Sequence, residues 1–315
     1  MARNVYGTYK TSGIPVRHPK ASSFGTVVFV DTTNGNDDTT GNAPNNAVAT
    51  IQKGLDQAAI NGNDATVLVR RGFYQPAATE THALTSSHSG IRILADQLMP
   101  DMAGCRTRIY NIGGPDNIFT INGANNVEIA GFRMWPEMGS ASATGINIGN
   151  TAGSYGVWIH DNAFINVEAG TMASSVTMGS SSYECQYILI ENNLFHCGGT
   201  AGSSTGAVTW VHATRSCVRN NHFDIISNQS TSCGIFVSNA AAPRGRILDN
   251  TFNGTEVGVA AMVAQAVYTA QAMTAGDFII AGNRTTNLAA PFNAYVLLDA
   301  VLGINYINET AAVSS

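Results

Sequence analysis

The sequence predicts an all-β solenoid, a parallel β-helix with an N-terminal capping helix and an extended N-terminal arm. The first observation behind this is a repeat. Ile159-His-Asp-Asn162-Ala-Phe164, Ile190-Glu-Asn-Asn193-Leu-Phe195, Val218-Arg-Asn-Asn221-His-Phe223, Ile247-Leu-Asp-Asn250-Thr-Phe252, Ile280-Ala-Gly-Asn283-Arg-Thr285 and Leu302-Gly-Ile-Asn305-Tyr-Ile307 can be laid on one another. The asparagines follow one another at 31, 28, 29, 33 and 22 residues, a period that marks a stack of similar units. The second observation is local. Within each unit the apolar residues alternate over a few positions and a turn residue follows, so the repeating element is a short strand. The third is composition: 12% charged residues and 32 glycines suit a chain of many tight turns. A repeat array grows without one globular core, so 315 residues do not require two domains.

The asparagine is expected at the bend between strands, because it tolerates the left-handed conformation and its amide can bond the backbone. Stacked coils then align Asn162, Asn193, Asn221, Asn250 and Asn283 as a ladder, each amide bonding the next. The phenylalanines two places on are expected to pile up inside as an aromatic column, as side chains do in other stacked strands. An earlier unit, Ile129-Ala-Gly-Phe132-Arg-Met134, keeps the spacing with Phe132 in place of the asparagine.

In chain order, residues 1–26 come first as a basic arm. They carry Arg3, Tyr6, Tyr9, Lys10, Arg17, His18 and Lys20 with no acidic residue before Asp31, and they lack a hydrophobic period. Such an arm is either solvated or ordered against a trimer or a larger assembly. Residues 27–65 follow as first strand and capping unit: Thr26 to Val30 reads as a strand, Asp31 to Asn46 as a polar loop, and Ala47 to Ile60 as an amphipathic helix with Ile51, Leu55, Ala58 and Ala59 on one face. Thr66 to Val69 and Arg71 to Tyr74 open the β-helix of residues 66–308, and residues 309–315 form a tail. Val257 to Gly276 lacks charge, but its Ala, Gly and Gln content suits a buried coil or an oligomer contact better than a membrane span.

The passage Phe29-Val-Asp31, Gly35-Asn-Asp37, Ala49-Thr-Ile-Gln52, Ala58-Ala59 and Val67-Leu-Val-Arg-Arg-Gly72-Phe-Tyr74 resembles the opening of the right-handed parallel β-helix, or pectate-lyase-like, superfamily. The resemblance implies a helix that covers the open end of the solenoid, where a bare sheet edge would otherwise invite pairing. It extends over roughly residues 26 to 308 and specifies fold rather than function.

Many members of that superfamily cut polysaccharides, so the resemblance implies lyase or glycosidase chemistry as a first expectation. Glycoside hydrolysis needs two carboxylates about 5–9.5 Å apart. Asp161 and Asp249 share a repeat position, but three coils, about 14 Å, separate them at the strand spacing. His160 with Glu191, and His222 with Asp224, are the remaining acid–base candidates. The family's lyase chemistry uses a basic residue beside calcium held by acidic residues, yet no lysine follows Lys53 and no aspartate cluster accompanies the arginines. The polygalacturonase motifs are missing too, so no catalytic residue is assigned. Trp158 alternates with Val157 and Ile159 and faces outward, where it suits a glycan or a subunit contact. Five cysteines without CxxC spacing read as buried free thiols, and neither a metal site nor a cofactor is expected. The net charge of −5 with scattered arginines argues against nucleic acid as a partner, and the first residues show no signal-peptide pattern.

A small, lysine-poor β-helix with a short arm resembles the virion-associated β-helix proteins of tailed bacteriophages. That resemblance implies a structural virion protein, a capsid decoration (cement) or short spike, commonly a homotrimer, whose arm meets a capsid or tail protein. The competing expectations are a polysaccharide depolymerase, lyase or glycosidase, and a non-catalytic spike that binds a host glycan.

Overall fold

The computed structural model describes residues 26–62, 64–74, 82–96, 107–110, 117–135, 144–166, 174–199, 206–227, 233–238, 244–256, 265–269, 278–286, 288 and 301–308. The arm of residues 1–25, the tail of 309–315 and much of Val257 to Gly276 lie outside them.

Among the described residues most coils contribute one short strand to each of three parallel sheets, and Cys185–Gln186 with Ala213–Thr214 form a further two-stranded one. A ten-stranded first sheet runs from Val27–Val30 to Val301–Leu302, a nine-stranded second from Gly72–Tyr74 to Tyr306–Asn308, and a seven-stranded third from His82–Leu84 to Gln265–Thr269. Strands pair in register with the equivalent residues of the next coil, so each repeat position becomes a column along the axis. Val67, Ile93, Ile129, Ile159, Ile190, Val218, Ile247 and Ile280 form one such column, wholly buried. Every coil thus buries a branched apolar side chain against its neighbours in one continuous hydrophobic core along the stack, the main source of its stability.

The expected aromatic column is present. Phe164, Phe195, Phe223 and Phe252 stack with ring centroids 4.9, 4.7 and 4.7 Å apart, close to the strand spacing that imposes the distance. The opposing third sheet makes room with small residues: a Cβ on Gly234 would lie 2.6 Å from the Phe252 ring. Met134 precedes the column in register, and Thr285 and Ile307 follow it.

The asparagine ladder runs between the first and second sheets, with one correction. The ladder asparagines do not take the left-handed conformation. That falls to the residue before each: Asp161, Asn192, Asn220 and Asp249 have φ of 53–55°, and Gly131 and Gly282 have 85° and 70°. The division of labour is physical, since the turning residue must point outward while the asparagine must be buried to bond along the axis. Each Oδ1 accepts from the backbone N–H of the preceding rung at 3.0–3.1 Å. Each Nδ2 donates to a carbonyl of the previous coil, such as Asn193 to Ile159 at 3.0 Å. Phe132, which takes the asparagine's place, gives its own N–H to Asn162 Oδ1 and so starts the ladder.

The capping helix spans Ile51–Asn61 and begins later than the predicted Ala47. Val48 bridges Val30, and Asp37 bonds the N–H groups of Ala49 and Thr50 as well as the Thr50 hydroxyl, which holds this stretch extended. Thr50 then caps the helix by accepting from Lys53 N–H. Ile51, Gly54, Leu55 and Ala58 are the buried face. Gly54 permits close packing, since a Cβ there would meet Val30 at 2.6 Å.

Candidate functional site

Each corner of the coil turns a polar residue outward, and the strand alternation does the same on each flat face, so candidate chemistry lies in columns. The most charged is on the outer face of the first sheet. Register places Arg92, Glu128 and Trp158 in one row and His160, Glu191 and Arg219 in the next. His160 and Glu191 face each other in register but bond elsewhere. His160 Nε2 meets Glu128 Oε1 at 3.0 Å, and its Nδ1 meets Asp161 Oδ2 at 2.7 Å. Glu191 accepts from Trp158 Nε1 at 3.0 Å on one oxygen and from Arg219 Nε at 2.7 Å on the other.

Burial pulls the His160 imidazole down, but its hydrogen bonds to Asp161 and Glu128, with their charges, outweigh that and raise it to about 9. At neutral pH it is an imidazolium between two carboxylates, which suits an ion-pair centre and not a general base. Trp158 faces outward as predicted, yet one ring face is taken: it stacks on the His160 ring with centroids 3.8 Å apart. Asp161 and Asp249 do share the outward corner column with Asn192 and Asn220 between them.

The second candidate pair lies on the second sheet. His222 Nε2 meets Asp224 Oδ1 at 2.9 Å, Asn253 Nδ2 donates to the same oxygen at 3.3 Å, and His196 Nδ1 stands 3.8 Å from Asp224 Oδ2. His196 and Asn253 are the register neighbours of Asp224 on either side. They escape a reading that compares only neighbours in sequence.

Two further surfaces have no counterpart in the predicted site. On the third sheet Thr120, Asn147, Thr177, Thr209, Phe236 and Tyr268 form one row, with Phe236 and Tyr268 stacked at 5.8 Å. At the corner between the third and first sheets, Tyr155 and Tyr183 are exposed, and Arg215 donates to the Tyr187 hydroxyl at 2.7 Å. Tyr187 and Arg215 hold left-handed φ of 57° and 53°. The signal for both surfaces is the repeat register, available once each coil is aligned at all three strands.

Among the described residues no group of three or more His, Cys, Asp or Glu side chains is placed to hold a metal. Cys185 and Cys217 are free thiols, and burial raises both of these and Cys233, Cys217 to about 12. No described helix is long and apolar enough to cross a membrane. Arg3, Tyr6, Tyr9, Lys10, Arg17, His18 and Lys20 lie outside the described residues.

No family model matches the sequence, and no curated relative matches it. Solved structures do. Escherichia coli YbhC is similar at 15% identity over 89% of this chain and 77% of its own, with a TM-score of 0.53. A pectin methylesterase from Aspergillus niger is similar at 13% identity over 93% of this chain and 88% of its own, with a TM-score of 0.50. ORF18 of Geobacillus virus E2 is similar at 11% identity over 90% of this chain and 61% of its own, with a TM-score of 0.40. Identities this low speak of architecture alone. By its fold the chain is a parallel β-helix, the architecture it shares with these structures.

Proposed function

We propose that the chain is a structural virion protein of a tailed bacteriophage, a capsid decoration or short spike held to the particle by residues 1–26. The observation that carries this reading is the opposition of charge between arm and body. Four of the 16 basic residues, Arg3, Lys10, Arg17 and Lys20, fall in the arm with no acidic residue, which leaves 12 basic against 21 acidic, or −9, for the rest. An arm of +4 on a body of −9 is drawn to an acidic surface while the body is repelled from it. The partner is then an acidic face of a capsid or tail protein, and the solenoid projects outward as a stiff rod, in a homotrimer.

The outer-face chemistry supports a passive body. The carboxylate oxygens of Glu191 are both engaged, and His160 is held protonated between two acids. The depolymerase alternative needs one of these groups to exchange a proton with substrate. A non-catalytic glycan-binding spike is the second reading, favoured by Tyr155 and Tyr183 at 46% and 42% exposure on one corner. Removing residues 1–22 tests the main reading: the body should fold unchanged and fail to join particles. Normal incorporation of the truncated protein would refute the arm's role.

A further inference from the structure

The corner that joins the third sheet to the first departs from the rule that the other turns obey. Eight described residues other than glycine hold a left-handed backbone, and six of them are asparagine or aspartate: Asp64, Asn126, Asp161, Asn192, Asn220 and Asp249. The two exceptions are Tyr187 and Arg215, with φ of 57° and 53°. A bulky side chain is disfavoured in this conformation, which asparagine and glycine adopt at little cost. The two stand on successive coils at the same turn, where the Tyr187 N–H donates to the Thr214 carbonyl at 3.2 Å. Earlier coils place Asn126 and Gly156 there, the inexpensive choices. Strain of this kind persists where the side chain it projects has a task, ligand clamps among them.

What the strained turns present is an exposed platform. Arg215 is exposed, and among the described residues its partner is Tyr187: one guanidinium N–H donates to the Tyr187 hydroxyl at 2.7 Å, with Cζ 5.6 Å from the ring centroid. The other N–H groups of that guanidinium remain for a ligand. On the opposite side of Tyr187 the preceding coil carries Gly156, which sets no side chain beside the ring. Tyr155, in register with Gln186, and Tyr183, on the loop leading to Cys185–Gln186, are 46% and 42% exposed. Glu184, the one acid among the described residues of this corner, is occupied by the Thr214 hydroxyl and by Gln186 Nε2 at 3.1 Å. The next coil adds the exposed Arg244, whose N–H donates to the Ala213 carbonyl at 3.0 Å.

We propose that this corner binds a saccharide that bears a carboxylate. Tyrosine rings offer flat apolar faces to the C–H side of a sugar ring and a hydroxyl at its rim. A guanidinium matches a planar carboxylate with two parallel N–H···O bonds. The Tyr187 hydroxyl holds the Arg215 fork in place beforehand, so less freedom is lost on binding. The surround of Asn126, Thr151, Ser181 and Ser182 is polar and exposed, which fits a hydroxyl-rich ligand better than the apolar centre of a protein interface. The inference rests on the glycan-binding reading above, names the ligand's charge and the residues that meet it, and does not involve the arm.

The test is affinity electrophoresis of the full-length protein in gels containing hyaluronan, dextran or dextran sulfate, with melting temperature as a second readout, for the parent, Tyr155→Ala and Arg215→Asn. The parent should be retarded by hyaluronan more than by either other polymer. Asparagine suits the left-handed turn, so Arg215→Asn should melt at or above the parent's temperature while its affinity for hyaluronan falls by about tenfold or more. Tyr155→Ala should weaken binding without a change in melting. A lower melting temperature for Arg215→Asn would make the Tyr187 pair a structural clamp and overturn the proposal. Retardation by dextran sulfate equal to that by hyaluronan would reduce the corner to a patch of charge and overturn it as well. Glycan binding that both variants retain would keep the glycan reading and remove this site from it. Retardation by none of the three polymers would overturn the proposal and that reading together.

Discussion

Inside and outside the corner that joins the first and second sheets, the same repeat produces two different kinds of column. Inward, Asn162, Asn193, Asn221, Asn250 and Asn283 repeat one side chain and one bonding pattern, each 0–2% exposed. Outward on the adjoining strands, Arg92, Glu128, His160, Glu191 and Arg219 change at nearly every coil, and each finds an oppositely charged partner on its own or a neighbouring coil. The interior admits few solutions because a buried amide or carbonyl without a partner is costly. The outer face admits many, since a charge there can be met by any opposite charge that its own or a neighbouring coil offers, although Arg92, His160 and Glu191 are themselves only 6–8% exposed. Repetition therefore reports stability here, and variation marks where function has room to differ.

The comparison breaks most visibly at the ladder's middle. Asn221→Ala removes the acceptor for the Asn193 N–H and the donor to the Ile190 carbonyl, both buried. It should cost roughly 2–4 kcal/mol at one or two orphaned groups. A denaturant midpoint within error of the parent would mean the ladder is ornamental.

Two histidines sharpen the contrast by pH. His82 is fully enclosed against Phe119, and burial pushes it down to about 4, while the outer His160 is raised to about 9. The unfolded chain titrates both near 6.5. The raised His160 stabilises fully below that pH, and the contribution is lost as pH climbs to 9. The depressed His82 works in the opposite direction, and stability falls as pH drops from 6.5 towards 4. On the order of 2–3 kcal/mol attaches to His160, for which Glu128, Asp161 and Trp158 are the facing groups and Arg92 and Glu191 the next neighbours. Thermal melts of His160→Gln across pH 6 to 10 should be flatter than those of the parent; equal slopes would remove His160 from the alkaline limb.

The last test is on the outer face. Glu191→Gln keeps an acceptor for Trp158 but leaves Arg219 without its carboxylate, and because Glu191 is only 6% exposed it should cost about 1–3 kcal/mol. A larger loss would show that this row stabilises the coil as the interior does.

Much of this was legible beforehand, because a buried column must repeat its chemistry in every coil. The six asparagines and four phenylalanines declared the solenoid, its strand direction and its interior. The turning residue was displaced by one because Asp161, Asn192, Asn220 and Asp249 are as suited to a bend as the asparagines beside them. Sequence alone cannot say which of two adjacent polar residues points inward. The capping helix was recognisable from Ile51, Leu55 and Ala58, but not its start, which the long-range bonds of Asp37 and Val30 decide.

The site depended on contacts between coils. Glu128 sits in a unit without a ladder asparagine, so nothing local pairs it with His160, 32 residues away. The same holds for His196 and Asn253 around Asp224. The sequence by itself determined the period, the strand character and the identity of the buried columns, because these are set by short-range alternation and by a burial requirement that recurs in each unit. The tertiary structure alone decided which outward charges meet, since register across coils, and not proximity along the chain, sets those distances.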